Sequence, residues 1–136
     1  MQEADDVRLE PRGELVIRTL AMPNQTNPAG DIFGGWIMSL MDLAAGMAAT
    51  GCANGRVVTA AVSLLTFLAP IKIGDAVCCY ADLVRVGRSS MIYNIETWVL
   101  PQRLKGARHK VTEAQFTMVA VDENGRPRPV SGSSAC

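Results

Sequence analysis

Histidine occurs once in the 136 residues, at His109, and no Cys-x-x-Cys pair is present. A protein zinc site needs three or four His, Cys or carboxylate ligands at suitable spacing, so no metal centre is expected. Net charge is missing too, with 13 Lys and Arg against 13 Asp and Glu. Without a basic excess there is no field to hold a phosphate backbone, which excludes DNA and RNA as expected partners. Ser131, Ser133 and Ser134 lie near the end of the chain with no nucleophile-elbow pattern and no nearby His, which argues against a serine hydrolase. His109, between Arg108 and Lys110, is expected on the surface. Met1 to Arg12 mixes both charges and carries no apolar leader, so a cytoplasmic protein is expected and the Asn24-Gln25-Thr26 sequon reads as chance. The four cysteines, Cys52, Cys78, Cys79 and Cys136, then read as small core residues in a reducing compartment rather than a disulfide frame.

What is abundant is apolar: 49% of the chain, against 19% charged. That is enough for a packed core, and the length suits one domain over 1–136, with a polar arm at 1–12 and a loose tail at 126–136. Glu14 to Leu20 alternates as a strand, and Ala21 to Asp31, rich in Pro, Gly and Asn, is an ordered loop. Ile32 to Ala53 spans 22 residues with a single charge, Asp42. Its Gly and Ala content, the mid-span acid and the strands that follow favour a central core helix over a membrane span. The spacing predicts this helix over Gly34 to Thr50, ended by Gly51 and Gly55.

Beyond it the period turns extended. Val57 to Ala69 reads as a strand buried on both faces, followed by strands over Ala76 to Val86, Ser89 to Leu100 and His109 to Val121. Gly74-Asp75, Gly87-Arg88 and Asp122-Glu123-Asn124-Gly125 mark turns, and Pro101 to Ala107 forms a basic loop. Trp36 and Trp98 are expected in the core or an interface. One strand, one long helix and four further antiparallel strands make an α+β fold, a curved antiparallel sheet wrapped around a central helix. Its free apolar edges predict pairing between subunits.

Two features could carry chemistry. Asp42 sits among Leu40, Met41, Leu43 and Ala44, and an ionised carboxylate buried alone is costly, so it marks an active site. The run Asn27 to Trp36 places Gly30, Gly34 and Gly35 at a helix start, where free amides and the helix dipole suit a polarised oxygen. The same glycines would also make a tight turn with Asp31 as the N-cap. Eight residues of helix separate Gly34 from Asp42, about 12 Å. One chain cannot aim both at one atom, whereas two antiparallel helices across a dimer can.

Arg18-Thr19-Leu20-Ala21-Met22-Pro23 and Thr26-Asn27-Pro28-Ala29-Gly30-Asp31-Ile32-Phe33-Gly34-Gly35-Trp36-Ile37-Met38-Ser39 resemble the YciA-like acyl-CoA thioesterases. So do Met41-Asp42, Gly55-Arg56-Val57-Val58-Thr59 and Val86-Gly87-Arg88-Ser89-Ser90, and the likeness runs in order over residues 14 to 130. The resemblance implies a hotdog fold, dimers that commonly assemble as hexamers, and hydrolysis of acyl-CoA to a free acid and CoA. CoA is then part of the substrate, and no separate cofactor is implied. At matching positions Asp42 resembles the essential acid, Asn27 the asparagine that meets it from the opposite subunit, and Gly34-Gly35 the amide that receives the thioester carbonyl. Gly87, Arg88, Ser89 and Ser90 match a CoA-contacting turn, with Arg56, Val58 and Thr59 assigned to the same ligand. Lys72 and Arg85 are lesser candidates for the phosphates. Ser63 departs from the pattern, because the family often carries a carboxylate after its Val-Val-Thr strand. The rival readings are a hotdog acyl-thioester hydratase or dehydratase, which generally relies on a His that is missing near this helix, and a non-catalytic acyl-CoA-binding protein.

Overall fold

The computed structural model describes residues 10–101, 107–130 and 136. Most of the expected N-terminal arm, most of the basic loop Pro101 to Ala107, and Ser131, Ser133 and Ser134 lie outside the described residues.

Five strands and one long helix follow in the order β1 (Glu14–Leu20), α1 (Gly34–Ala53), β2 (Val57–Phe67), β3 (Ala76–Val86), β4 (Ser90–Leu100) and β5 (His109–Ala120). Pro23–Gln25 forms a single 3-10 turn in the loop before the helix. The strands build one antiparallel sheet ordered β1-β3-β4-β5-β2. The sheet is open, and the helix lies against one of its faces, as in a hotdog fold. β2 does not pair with its sequence neighbour β3; it crosses over to β5 and becomes an edge.

The helix buries Ile37, Leu40, Met41, Ala44, Ala45, Ala49, Cys52 and Ala53, a stripe spaced by three and four residues. Three alanines in the middle of that stripe let the axis approach the sheet, where Tyr93, Ile95, Phe116 and Met118 complete the core. Tyr93 donates its hydroxyl to the Ala48 carbonyl at 3.2 Å, fixing the helix over β4. The opposite helical face exposes Met38, Leu43 and Met47. The expectation of a helix buried on most sides is therefore corrected, since a single chain covers only one side. The same correction applies to β2, expected to be buried on both faces. It is exposed along nearly its whole length, with Val58, Val62, Leu64 and Phe67 open to solvent. Leu64 is 71% exposed, and its φ of 56° accompanies a break in the β2–β5 register between Ser63 and Thr66.

The helix also runs three residues past Thr50. Asn54, at φ 54°, takes the left-handed position and donates its N–H to Thr50, so Gly51 stays inside the last turns. The end is sealed from the far side of the chain. Arg128 donates to the Ala53 carbonyl at 3.3 Å and to the Val121 carbonyl at 3.0 Å. Its backbone N–H bonds Ala120 O, and the Val130 N–H bonds Arg88 O. Arg126 to Val130 is thus docked rather than loose, because free helix carbonyls recruit a guanidinium. Replacing Arg128 with alanine is expected to lower unfolding free energy by about 1–2 kcal/mol. Urea titration should show an earlier midpoint at unchanged slope.

Cys52 and Cys136 form a disulfide joining the last turn of the helix to the final residue. This corrects the reading of these two as free core thiols; neighbours 84 residues apart in sequence leave no local pattern to reveal the pairing. Cys78 and Cys79 are free and buried. Burial pushes the Cys79 thiol up to about 11, only partly offset by its hydrogen bond with Thr97, so it stays protonated and inert at neutral pH.

Candidate active site

The loop before α1 is closed on itself by Asn27. Its side-chain oxygen accepts the N–H groups of Ala29 at 2.9 Å and Asp31 at 3.1 Å, while Gly30 N–H bonds the Asn27 carbonyl and Gly30 adopts φ 90°. That Asx-type turn leaves the Asn27 amide nitrogen without a partner among the described residues, able to donate outward. Ile32 N–H reaches Ile71 O, and Phe33 N–H reaches Gln25 O, so the approach to the helix is fixed at both sides.

Asp31 is not the N-cap. It pairs with Lys72, and the capping position falls on Phe33, which offers no side-chain acceptor. The amides of Gly34 and Gly35 consequently have no partner among the described residues, as the first turn of a helix leaves them. Around Gly35 there is open space, while the Phe67 ring lies 3.3 Å from where a Gly34 side chain would begin. Gly34 lines a cleft of about 410 Å³ with Asp31, Ile32, Ile37, Phe67, Leu68 and Ile71. With its charge engaged by Asp31, Lys72 drops behind as a phosphate ligand.

Asp42 lies on the exposed side of α1, not in the core. The expectation of a dry, solitary acid is corrected: Thr59 of β2 donates its hydroxyl to Asp42 Oδ1 at 2.5 Å. Both residues line a second cleft of about 590 Å³, with Gly46, Met47, Thr50, Val57 and Met118. No lining residue is common to the two clefts. Within one chain the acid and the glycine amides are therefore held apart, as the eight-residue spacing requires. Thr59, read from sequence as a ligand contact, is hydrogen-bonded to the acid; the sequence carries no signal of that bond, because α1 and β2 meet only through the fold.

Gly87 to Ser90 turns tightly from β3 into β4, with Gly87 N–H on Ser90 O at 2.7 Å. A side chain at Gly87 would begin 2.8 Å from the Ser90 hydroxyl, which would have to rotate away to admit it. Ser89 O accepts from Ala120, and Arg56 O accepts from Val121, which brings Arg56 and the turn to the same end of β5. Arg56 also donates to Glu123 O at 3.5 Å. The exposed Arg88 guanidinium has no partner among the described residues, and Arg126 and Arg128 join this end of the sheet from the docked tail. Sequence reading missed those two because the tail looked unstructured. Val58 is exposed on β2, and Arg85 is exposed near the end of β3. His109 is exposed, Trp98 is buried, and Trp36 is partly buried against the core.

The sequence pattern of the thioesterase superfamily matches residues 29–105. The acyl-CoA thioester hydrolase YciA of Salmonella typhimurium is 54% identical over 122 residues, 88% of this chain and 92% of that protein. A hexameric broad-specificity acyl-coenzyme A thioesterase, crystallised with an aspartate replaced by alanine, superposes with a TM-score of 0.88 at 49% identity, covering 91% of each chain. A hexameric thioesterase of Yersinia pestis gives a TM-score of 0.85 at 52% identity over 91% of this chain and all of that one.

Proposed function

Because this chain belongs to the thioesterase superfamily, among its YciA-like acyl-CoA thioester hydrolases, we propose that it cleaves acyl-CoA to a carboxylic acid and CoA at sites shared between two copies. The observation that carries the shared site is the separation of the Asp42 cleft from the Gly34 cleft in one chain, beside an uncovered apolar face on α1 and β2. Packing that face on a second copy, helices antiparallel, lays Asp42 of one chain beside the partner's Gly34. Three such dimers form the proposed hexamer, the state of the crystallised relatives.

A thioester is already activated, so chemistry asks for a proton acceptor and a polarising donor. Asp42 Oδ2, without a partner among the described residues while Oδ1 holds Thr59, accepts a proton from water as that water attacks the carbonyl carbon. The Gly34 and Gly35 amides donate to the carbonyl oxygen as it gains charge, and the outward amide of Asn27 holds the water or the carbonyl. Collapse expels the CoA thiolate, which takes up the proton that Asp42 received and so restores the carboxylate. Direct attack by Asp42 to give a mixed anhydride would use the same groups; the water route is adopted because Asp42 is already hydrogen-bonded as an oriented base. CoA enters as part of the substrate and leaves as a product.

Arg88 binds the CoA phosphates, with Arg56 beside it at the same end of the sheet. In Arg88→Ala, KM for a short acyl-CoA should rise roughly 10-fold and lose part of its salt dependence, with kcat within about twofold. An unchanged KM removes Arg88 from the site. The function itself is tested by thiol release from a panel of acyl-CoA esters, read with a thiol reagent. Release supports the hydrolase. Hydration without release would indicate a hydratase, and binding without turnover a passive acyl-CoA receptor.

A further inference from the structure

We propose that Cys52 and Cys136 are a reversible thiol–disulfide switch, exchanged with small thiols, that sets the heat resistance of the protein without altering its chemistry. The two halves of the bond are unequal. Cys52 is 2% exposed, packed within the core on the inner side of the last turns of α1, whereas Cys136 is exposed. A thiolate therefore reaches the bond at the Cys136 sulfur, and Cys52 is the leaving group. The approach is open, because Cys136 lines a cleft of about 660 Å³ with Gly13, Leu15, Met47, Leu83 and Tyr93. Exposed disulfides are the labile ones, while inaccessible ones persist as structure. Neither remaining cysteine competes for the pairing. Cys78 and Cys79 are buried on β3, where Cys78 accepts from the Arg18 guanidinium at 3.3 Å and Cys79 bonds Thr97.

Both redox forms keep the fold. Reduced Cys52 remains a small apolar residue of the core, and Arg128 already ties its own segment to the Ala53 and Val121 carbonyls. What oxidation adds is a covalent link across 84 positions, which removes freedom from the unfolded chain. In reduction, one thiolate of a dithiol attacks Cys136 Sγ and expels the Cys52 thiolate, which takes up a proton. The second thiol of the reagent then displaces Cys136, leaving two protein thiols and a cyclic disulfide. In the reverse direction a small disulfide oxidises the pair and is itself reduced to two thiols. Asp42 lies about 15 Å along the helix from Cys52, and the Gly34 cleft is at the other end, so the link stands apart from the reacting groups.

The test takes the whole protein, oxidised with glutathione disulfide or reduced with dithiothreitol, at one protein concentration. After denaturation a thiol reagent should count two thiols in the oxidised form and four in the reduced form, and peptide mapping should join Cys52 to Cys136. The reduced form should melt about 5–15 °C below the oxidised form and inactivate sooner on heating, with kcat, read from thioester absorbance, within about twofold. Cys136→Ser should match the reduced form and lose its response to dithiothreitol. Four thiols after oxidation, equal melting of the two forms, or a response retained in Cys136→Ser would overturn the switch. So would a bond that dithiothreitol opens only once the protein is unfolded, which would make it a fixed structural link. A kcat that differs severalfold between the two forms would overturn the separation of the link from the chemistry. The thiol count and melting shift do not depend on turnover, so they stand or fall apart from the reading of the active site.

Discussion

Asp42→Asn is expected to abolish thioester hydrolysis while leaving the protein folded and assembled. Asparagine has the size of aspartate, and its carbonyl oxygen still accepts from Thr59, so the side chain stays in place. What it loses is the capacity to take a proton or to attack a carbonyl. Loss of a positioned base or nucleophile lowers turnover by on the order of 1000-fold. Fold should be indifferent, because Asp42 sits on the exposed helical face, outside the cluster of Met41, Ala44 and Ala45. The measurement is kcat from thiol release at saturating acyl-CoA, with unfolding and mass by light scattering in parallel. CoA affinity should stay within twofold, since Arg88 and the Gly87–Ser90 turn lie elsewhere. A variant retaining wild-type kcat removes Asp42 from the chemistry.

Val62→Lys on β2 should have the next largest effect. Val62 is exposed on an edge strand that also exposes Val58, Leu64 and Phe67, and the described residues of one chain leave this strand open. Lysine on an edge strand blocks pairing with another strand, through charge and through the water it holds. The two ends of β2 already mark how a partner would lie: Thr59 touches Asp42, and the Phe67 ring covers Gly34. Antiparallel pairing of two β2 strands that brings Thr59 of one chain level with the partner's Phe67 places the two-fold axis near Ser63. Ser63 stands at the register break of the strand, where a carboxylate would face its own copy. With Lys at position 62 the assembly should dissociate and kcat/KM should fall on the order of 100-fold, because neither half of the site works without the other. Light scattering and thiol release on the same sample decide it. An active monomer would end the shared-site proposal.

The limits of β1 and β3 could be read directly, because Pro, Gly and Asp punctuate the chain around them. The end of α1 could not. Gly51 is the stronger stop signal by composition, yet Asn54 took the left-handed position once Cys52 and Ala53 found partners in the core. The tail misled for a related reason: Arg128 has no local pattern, and its worth comes from carbonyls of residues distant in sequence. Burial of β2 was misjudged because an apolar strand in a sheet centre and an apolar strand awaiting a second copy have the same composition.

At the site, the residues themselves pointed to Asp42, an acid within an apolar helix, and to the Gly34-Gly35 start with its free amides, whereas Asn27 was singled out only through the family resemblance. Sequence alone also determined that one helix could not join them, because the rise of a helix is set by backbone geometry. Only the tertiary structure decided that the acid faces outward, and that Thr59 holds it. The sheet order decides this: β2 leaves its sequence neighbour for β5, and the contact it makes with α1 depends on that crossing, which no local preference encodes.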